Sequence, residues 1–488
     1  MLALNIKATD MLNIEKKEKI IKFLQDQISQ ADFRAEAYVF DENKKARPKR
    51  NIYEKLNKYL IDFFEHKSTA RWIVLTGLRG AGKTTVLSQL YYEKKILDAR
   101  RLNLSVDHIV QILGVSINDV LDAYEDLIGM AMERLDKPLF LFLDEIQYDE
   151  KWAITLKSLY DRTNNVFIFV TGSSALALNT NPDIARRAIF EKLFPLSFTE
   201  YIKIKTGKQE MRGLGGEVRD IIFNSNSAKD VFAGLGKVES KINEYWIDIE
   251  RMEVGRYMKY GSLPFMVSLN NEALVYDQIN KTLDRIINSD VARTGQFNSE
   301  TISKIPSILY ATADMDQVGH AKLAEIFDIS RPKIMEIFSA LENTETLIRV
   351  YPYGSHLNQA KKPSKYLFAS PAFRSMYYNF IGNVISEENY MGKLLEDTIG
   401  MYLSRFLFKK INTSLTYDNA QGGADFILGF AKDKIIIEVG MGDKGIGQVM
   451  QTLAKVKAKY GLVVSRSGLN IFENENIVQI PLKYFLLV

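Results

Sequence analysis

Cysteine is absent from the 488 residues, and histidine occurs only four times, as His66, His108, His320 and His356. The first absence excludes disulfides and thiolate-held metals and fits a reducing compartment. The second argues against a histidine-built zinc centre, since the four are scattered along the chain. Long apolar runs are missing as well. None approaches the roughly 20 residues of a membrane-spanning helix, and the opening stretch MLALNIKATDMLNIEKKEK lacks the basic-then-apolar order of a signal peptide. The expectation is a cytoplasmic protein with no membrane partner. An excess of one charge is also lacking. The 64 basic and 60 acidic residues leave a net charge of +4, too small to imply nucleic acid by itself. No internal repeat and no low-complexity segment interrupts the chain.

What is present is an ordinary globular composition, 46% hydrophobic and 25% charged, in a chain long enough for about two to four domains. Residues 16–28, KKEKIIKFLQDQI, have helical spacing. The basic run KKARPKR at 44–50 reads as a linker or loop. From about residue 51 to 201, short continuous apolar runs (RWIVLTG, FLFLD, VFIFVTG) alternate with helical stretches. That is the pattern of a parallel sheet covered on both faces. Residues 202–295 read as helices with polar loops, 300–380 as a helical unit followed by two short strands, and 385–488 as a return to α/β alternation.

The most specific signal is Gly77-Leu78-Arg79-Gly80-Ala81-Gly82-Lys83-Thr84, followed by Thr85. It is a complete G-x-x-x-x-G-K-[ST] phosphate loop between a strand and a helix. The glycines let main-chain amides turn around a β-phosphate, and the helix N-terminus adds a favourable dipole. Lys83 reaches the β- and γ-oxygens, and the Thr84 hydroxyl is a ligand for Mg2+. PLFLFLDEIQ supplies the second half. Asp144 is placed to hold Mg2+ through water, and Glu145 to orient and deprotonate the attacking water of ATP hydrolysis. The strand 166–170 ends in Thr171-Gly172-Ser173-Ser174, where a hydroxyl, with Ser173 as the candidate, would sense the γ-phosphate. Arg186 and Arg187 are candidates to stabilise charge on that phosphate, one of them on a neighbouring subunit of a homo-oligomer. Trp152 reads as core.

In combination, GLRGAGKTT, LDEIQ with LKSLYDR, VTGSS, ARRAIF, PLSFTEYI and MKYGSLPFM resemble the AAA+-type archaeal and bacterial ATPase family. The resemblance runs from about residue 50 through KYLFASPAF to VQIPLKYFLLV. It implies an α/β fold: a P-loop NTPase (AAA+-like) parallel-sheet core with a helical lid, a winged helix and a C-terminal restriction-endonuclease-like domain. The expected divisions are an N-terminal helical segment at 1–45, the ATPase core at 46–205, the lid at 206–298, the winged helix at 299–380 and the nuclease-like domain at 385–488.

AKLAEIFDISRPKIMEIFSALEN independently reads as helix-turn-helix. Residues 322–327 form the short helix, Asp328-Ile329-Ser330 the turn with Ser330 as N-cap, and 331–342 the recognition helix. LIRVYPYG and SKYLFAS form a wing, with Lys361, Lys362 and Lys365 near its tip. Double-stranded DNA is therefore a candidate partner. The C-terminal stretch resembles the PD-(D/E)XK nuclease fold, with Glu396, Asp425 and Glu438 as a candidate second metal site. Gly440, however, stands where such enzymes place lysine. Lys444, four residues further on, is the other lysine nearby. The domain is expected to keep the fold with its chemistry impaired or absent. The functional expectation is an ATP-binding and ATP-hydrolysing AAA+-like switch or motor using Mg2+. The alternatives are an ATP-regulated, Mg-dependent nuclease and a non-enzymatic module stabilised by bound nucleotide.

Overall fold

A computed structural model of the chain describes residues 2–172, 184, 186–295, 297–381, 386–430, 432–442 and 445–488. It divides into two compact units, 1–193 and 194–488.

In the first unit, helices α1 (Leu2–Val39), α2 (Tyr53–Phe64), α3 (Lys83–Tyr91), α4 (Ile117–Ile128) and α5 (Trp152–Arg162) pack on a five-stranded sheet. Its strands are β1 (Trp72–Thr76), β2 (Arg100–Ser105), β3 (Leu139–Asp144), β4 (Val166–Gly172) and β5 (Ile189–Lys192). They run parallel in the order β2-β3-β4-β1-β5. The continuous apolar runs follow from burial on both faces. Phe140, Phe142, Phe167 and Phe169 form ring contacts with one another and with Phe63 and Tyr91 on one side. The alternate residues Leu139, Leu141, Leu143, Val166, Ile168 and Val170 join Leu24, Tyr124, Trp152 and Leu156 on the other. The edge strands β2 and β5 are only half covered and read in the sequence as polar.

Helix α1 is longer than the 16–28 stretch that its sequence advertises. Its buried residues Ile20, Leu24, Ala31 and Ala35 recur at spacings of four, seven and four, which puts them on one narrow stripe. Two of the four are alanines, a weak apolar signal.

The second unit begins with α6 (Phe198–Thr206), α7 (Leu214–Asn224), α8 (Ala228–Trp246) and α9 (Glu272–Arg285). Next come α10 (Ser299–Asp314), α11 (His320–Phe327) and α12 (Arg331–Asn343), then the antiparallel pair β6 (Leu347–Pro352) and β7 (Lys365–Phe368). Helices α13 (Pro371–Ile381) and α14 (Glu387–Leu407) lead to β8 (Thr413–Tyr417), β9 (Phe426–Phe430) and β10 (Asp433–Val439). Helix α15 (Gly447–Val456) and strands β11 (Tyr460–Ser465), β12 (Asn470–Phe472) and β13 (Ile477–Pro481) follow. Eight strands form one mixed sheet in the order β12-β13-β11-β10-β9-β8-β6-β7. The β6–β7 hairpin is thus part of the C-terminal sheet, since Tyr351 and Pro352 of β6 pair with Thr416 and Tyr417 of β8. Helices from the stretch expected to be a lid share its core. Phe223 stacks on Phe406 at 4.2 Å, the Tyr460 hydroxyl donates to Ile222 O at 2.8 Å, and Trp246 Nε1 donates to Lys483 O at 3.1 Å.

Among the described residues no helix is long and apolar enough to cross a membrane.

Candidate functional site

The phosphate loop leaves β1 at Gly77, where only glycine fits. A Cβ there would lie 2.3 Å from the Leu193 carbonyl oxygen, and φ is +151°. Gly82, at φ 96°, caps α3 in the left-handed region that side chains disfavour. Between them Leu78 and Ala81 are buried. The Ala81 carbonyl accepts from Arg50 Nη1 at 2.6 Å. Arg50, the last residue of the basic run read as a linker, is therefore buried against the loop. Lys83 is buried too, and its ammonium donates to the carbonyls of Gly77 at 2.8 Å and Leu78 at 3.2 Å. Thr84 Oγ1 donates to Asp144 Oδ2 at 2.7 Å, and Thr85 is half-buried on the first turn of α3.

Asp144 and Glu145 stand at the C-terminal end of β3, adjacent to β4 in the sheet, so Thr171 of β4 sits beside them. The Thr171 hydroxyl donates to Asp144 Oδ1 and accepts the Glu145 N–H, the latter at 3.2 Å. Glu145 holds a left-handed φ of 54°, an uncommon conformation for a side-chain-bearing residue and one that clusters at functional sites. Its carboxylate accepts from the Gln147 amide and lies 3.8 Å from Arg79 Nη2. Burial pushes the Glu145 carboxyl above the usual carboxylate range; Lys83 and Arg79 oppose that rise and Asp144 adds to it. The Thr84 hydroxyl and Asp144 carboxylate are hard oxygen donors held together beside a lysine. Such a set fits Mg2+, which takes few protein ligands and keeps water and phosphate as the rest.

The two candidate arginines differ. Arg187 is committed to Asp161 of α5, with Nε at 2.8 Å and Nη2 at 3.0 Å from its oxygens, while Arg186 is exposed on a turn. Ser173 lies outside the described residues.

A second group of carboxylates is gathered in the C-terminal sheet. Residues Phe426 and Ile437 are register partners across β9 and β10, which brings Asp425 opposite Glu438. The Asp425 N–H donates to Glu438 Oε2 at 3.2 Å, and Asp425 Oδ2 accepts from Val439 N–H at 3.0 Å. Glu396, on α14, completes the set. Its partner is Lys365 of β7, whose ammonium donates to Glu396 Oε1 and to Asp425 Oδ1, the latter at 3.2 Å. Lys365 is 8% exposed, so it is not the solvent-facing wing residue that the sequence suggests. Strand β7 joins the sheet and turns it inward, and Lys361 and Lys362 remain exposed. Burial pushes Glu396 up, opposed by Lys365. The two acids hold Lys365 well above the usual lysine range despite its burial. A cleft of about 740 Å³ opens beside Glu396 and Asp425 and is also lined by Asp314, Glu388, Lys393 and Gly440. Among the described residues no group of three or more histidine, aspartate or glutamate side chains is gathered so as to hold a metal ion. Lys444 lies outside the described residues.

A family model described as an AAA domain matches residues 69–202, which include β1 to β5, the phosphate loop and both arginines. Two proteins of Methanocaldococcus jannaschii are similar in sequence. Uncharacterized protein MJ1637 is 37% identical over 444 residues, 90% of this chain and 88% of that protein. Uncharacterized protein MJ1544 is 21% identical over 374 residues, covering 75% and 74%. Among solved structures, the Aeropyrum pernix ORC1 protein in complex with DNA is 12% identical, covers 68% of this chain and 93% of its own, and has a TM-score of 0.30. AMPPCP-bound DnaA from Aquifex aeolicus is 15% identical, covers 63% and 92%, and has a TM-score of 0.27. At those scores the likeness carries no functional argument. The identity to MJ1637 across nearly the whole of both chains does: the chain belongs to the family of that archaeal protein, and its residues 69–202 form an AAA domain of the phosphate-loop class.

Proposed function

We propose that the chain binds and hydrolyses ATP with Mg2+ and acts as a nucleotide-driven switch or motor. The observation that carries this reading is the convergence of Lys83, Thr84, Asp144 and Glu145 on one end of the parallel sheet, with Thr84 and Asp144 hydrogen-bonded at 2.7 Å. Thr84 and Asp144 would hold Mg2+, which supplies charge neutralisation at the phosphates. Lys83, on leaving the carbonyls of its own loop, places a cation against the β- and γ-oxygens. Glu145 takes a proton from the attacking water, whose oxygen bonds to the γ-phosphorus as the bond to the β-phosphate oxygen breaks, giving ADP and inorganic phosphate. Gly77 to Thr85 form the nucleotide cradle, and Ser173 is the candidate hydroxyl sensor beyond β4. Arg187 serves Asp161 in its own unit, whereas the exposed Arg186 is the residue suited to reach a neighbouring subunit's nucleotide in a homo-oligomer.

The reading extends to the second unit. Helices α10, α11 and α12 with the β6–β7 pair are a winged helix, supported by the left-handed Asp328 turn and by Ser330 Oγ accepting the Lys333 N–H at the start of α12. Its exposed Arg331, Lys361 and Lys362 suit contact with the phosphates of double-stranded DNA. The succession α14-β8-β9-β10-α15-β11 is nuclease-like in topology, but we assign it no cutting activity. Gly440 supplies no lysine, and Lys365 already satisfies Glu396 and Asp425. Phosphate release from ATP should be measured for the parent, Lys83→Ala and Glu145→Gln, with and without duplex DNA over a salt series. Turnover by the parent, lost in both variants and stimulated by DNA in a salt-sensitive manner, supports the reading; equal turnover in all three rejects it.

A further inference from the structure

Arg79 is the third residue of the phosphate loop, with Gly77 anchored against Leu193 on one side and Gly80 at φ 86° on the other. A loop fixed at both points gives its side chain a short, defined reach. Its guanidinium, in a side chain 19% exposed, lies 3.8 Å from Glu145 Oε2, in a side chain 20% exposed. Arg50 donates to the Ala81 carbonyl of the same loop, whereas Arg187, paired with Asp161, precedes β5 and so lies at the opposite end of the parallel sheet.

Resting on the phosphate-pocket reading, we propose that Arg79 senses the terminal phosphate of a nucleoside triphosphate. Its guanidinium, 3.8 Å from the carboxylate that would activate the attacking water, is placed to reach the γ-phosphate. Lys83 and Thr84, the other groups that would face phosphate and Mg2+, lie in the same pocket, against the Gly77 and Leu78 carbonyls and Asp144. A planar guanidinium against phosphate oxygens makes short, paired, charge-assisted hydrogen bonds, and a γ-phosphate offers them where a diphosphate has no group to do so. Glu145 is positioned independently of Arg79, because Gln147 and the Thr171 hydroxyl hold its carboxylate and its N–H. Arg79 thus acts as a discriminator between ATP and ADP.

Calorimetric titration of the full chain with AMPPCP and with ADP, both with Mg2+, separates the possibilities. Arg79→Ala is expected to weaken AMPPCP binding by roughly tenfold or more, the scale of one charge-assisted hydrogen bond, and to leave ADP within about twofold. Arg79→Lys should fall between, and it serves if the alanine variant does not fold. Equal losses for the two nucleotides, or no loss for either, would overturn the proposal while leaving the phosphate pocket intact. A parent chain that binds neither nucleotide would remove the pocket reading itself, and this proposal with it.

Discussion

Two strand ends in this chain place carboxylates beside a lysine. At the end of β3, Lys83 rests on the neutral carbonyls of Gly77 and Leu78, and Asp144 and Glu145 accept from hydroxyls, an amide and a distant guanidinium. At the start of β9, Lys365 is bound directly to Glu396 and Asp425. A neutral acceptor gives up an ammonium readily when a phosphate arrives, so the first arrangement can be remade by a ligand. The second is a buried ion pair, and removing either member leaves an uncompensated charge. The same residue types thus form an exchangeable pocket in one unit and a structural clamp in the other.

The comparison is broken most severely at Glu145. Glu145→Gln should lower ATP turnover by roughly 10²–10⁴-fold, the range of a lost general base, with nucleotide binding retained in a filter or calorimetric assay. Lys83→Ala should cost on the order of 10²–10³-fold in turnover, whereas Lys365→Met should leave turnover unaltered; equal losses in these two would erase the distinction. In chemical denaturation, Lys365→Met should destabilise the second unit by about 3–5 kcal/mol. Glu396, already raised by burial, rises further once the ammonium is gone. A folded-state pKa above the unfolded one gives stability that is present in acid and lost as pH rises, so the variant should weaken towards alkaline pH. No Mg2+- or Mn2+-dependent cleavage of DNA or RNA is expected from parent or variant; cutting abolished by Asp425→Ala would show that the clamp opens. The smallest effect concerns His320, whose ring lies against Phe338 and Tyr366. Burial, with Arg349 and Arg331 nearby, pushes its pKa down to about 4 from 6.5. The unfolded chain takes up the proton first, so stability is lost as pH falls from 6.5 towards 4. Discounted for partial exposure, the difference is on the order of 1–2 kcal/mol, read as a shallower acid-side loss of melting temperature in His320→Leu than in the parent.

Much of the first unit is legible in the sequence because its central strands are buried on both faces. FLFLD and VFIFVTG cannot be anything but apolar when Phe140, Leu141, Phe167 and Ile168 each meet a packed layer. RRLNLS and IFEK escape notice because β2 and β5 are edges with a half-solvated pattern. The phosphate loop and Asp144-Glu145 are legible because local spacing determines their neighbours. Arg50 and Lys365 are not, since their partners lie 31 residues away at Ala81 and 31 and 60 residues away at Glu396 and Asp425. A basic run and a wing tip look alike whether the cations face water or a buried acceptor. The β6–β8 pairing is hidden for the same reason, because two short strands reveal nothing of a partner beyond the next two helices.

Titrating Mg-ATP into the parent and into Lys83→Ala, with heat as the signal, tests the central claim most directly. A saturable heat in the parent that vanishes in the variant is the predicted result. No heat in the parent, or the same isotherm for both, would contradict the claim that this loop holds a triphosphate.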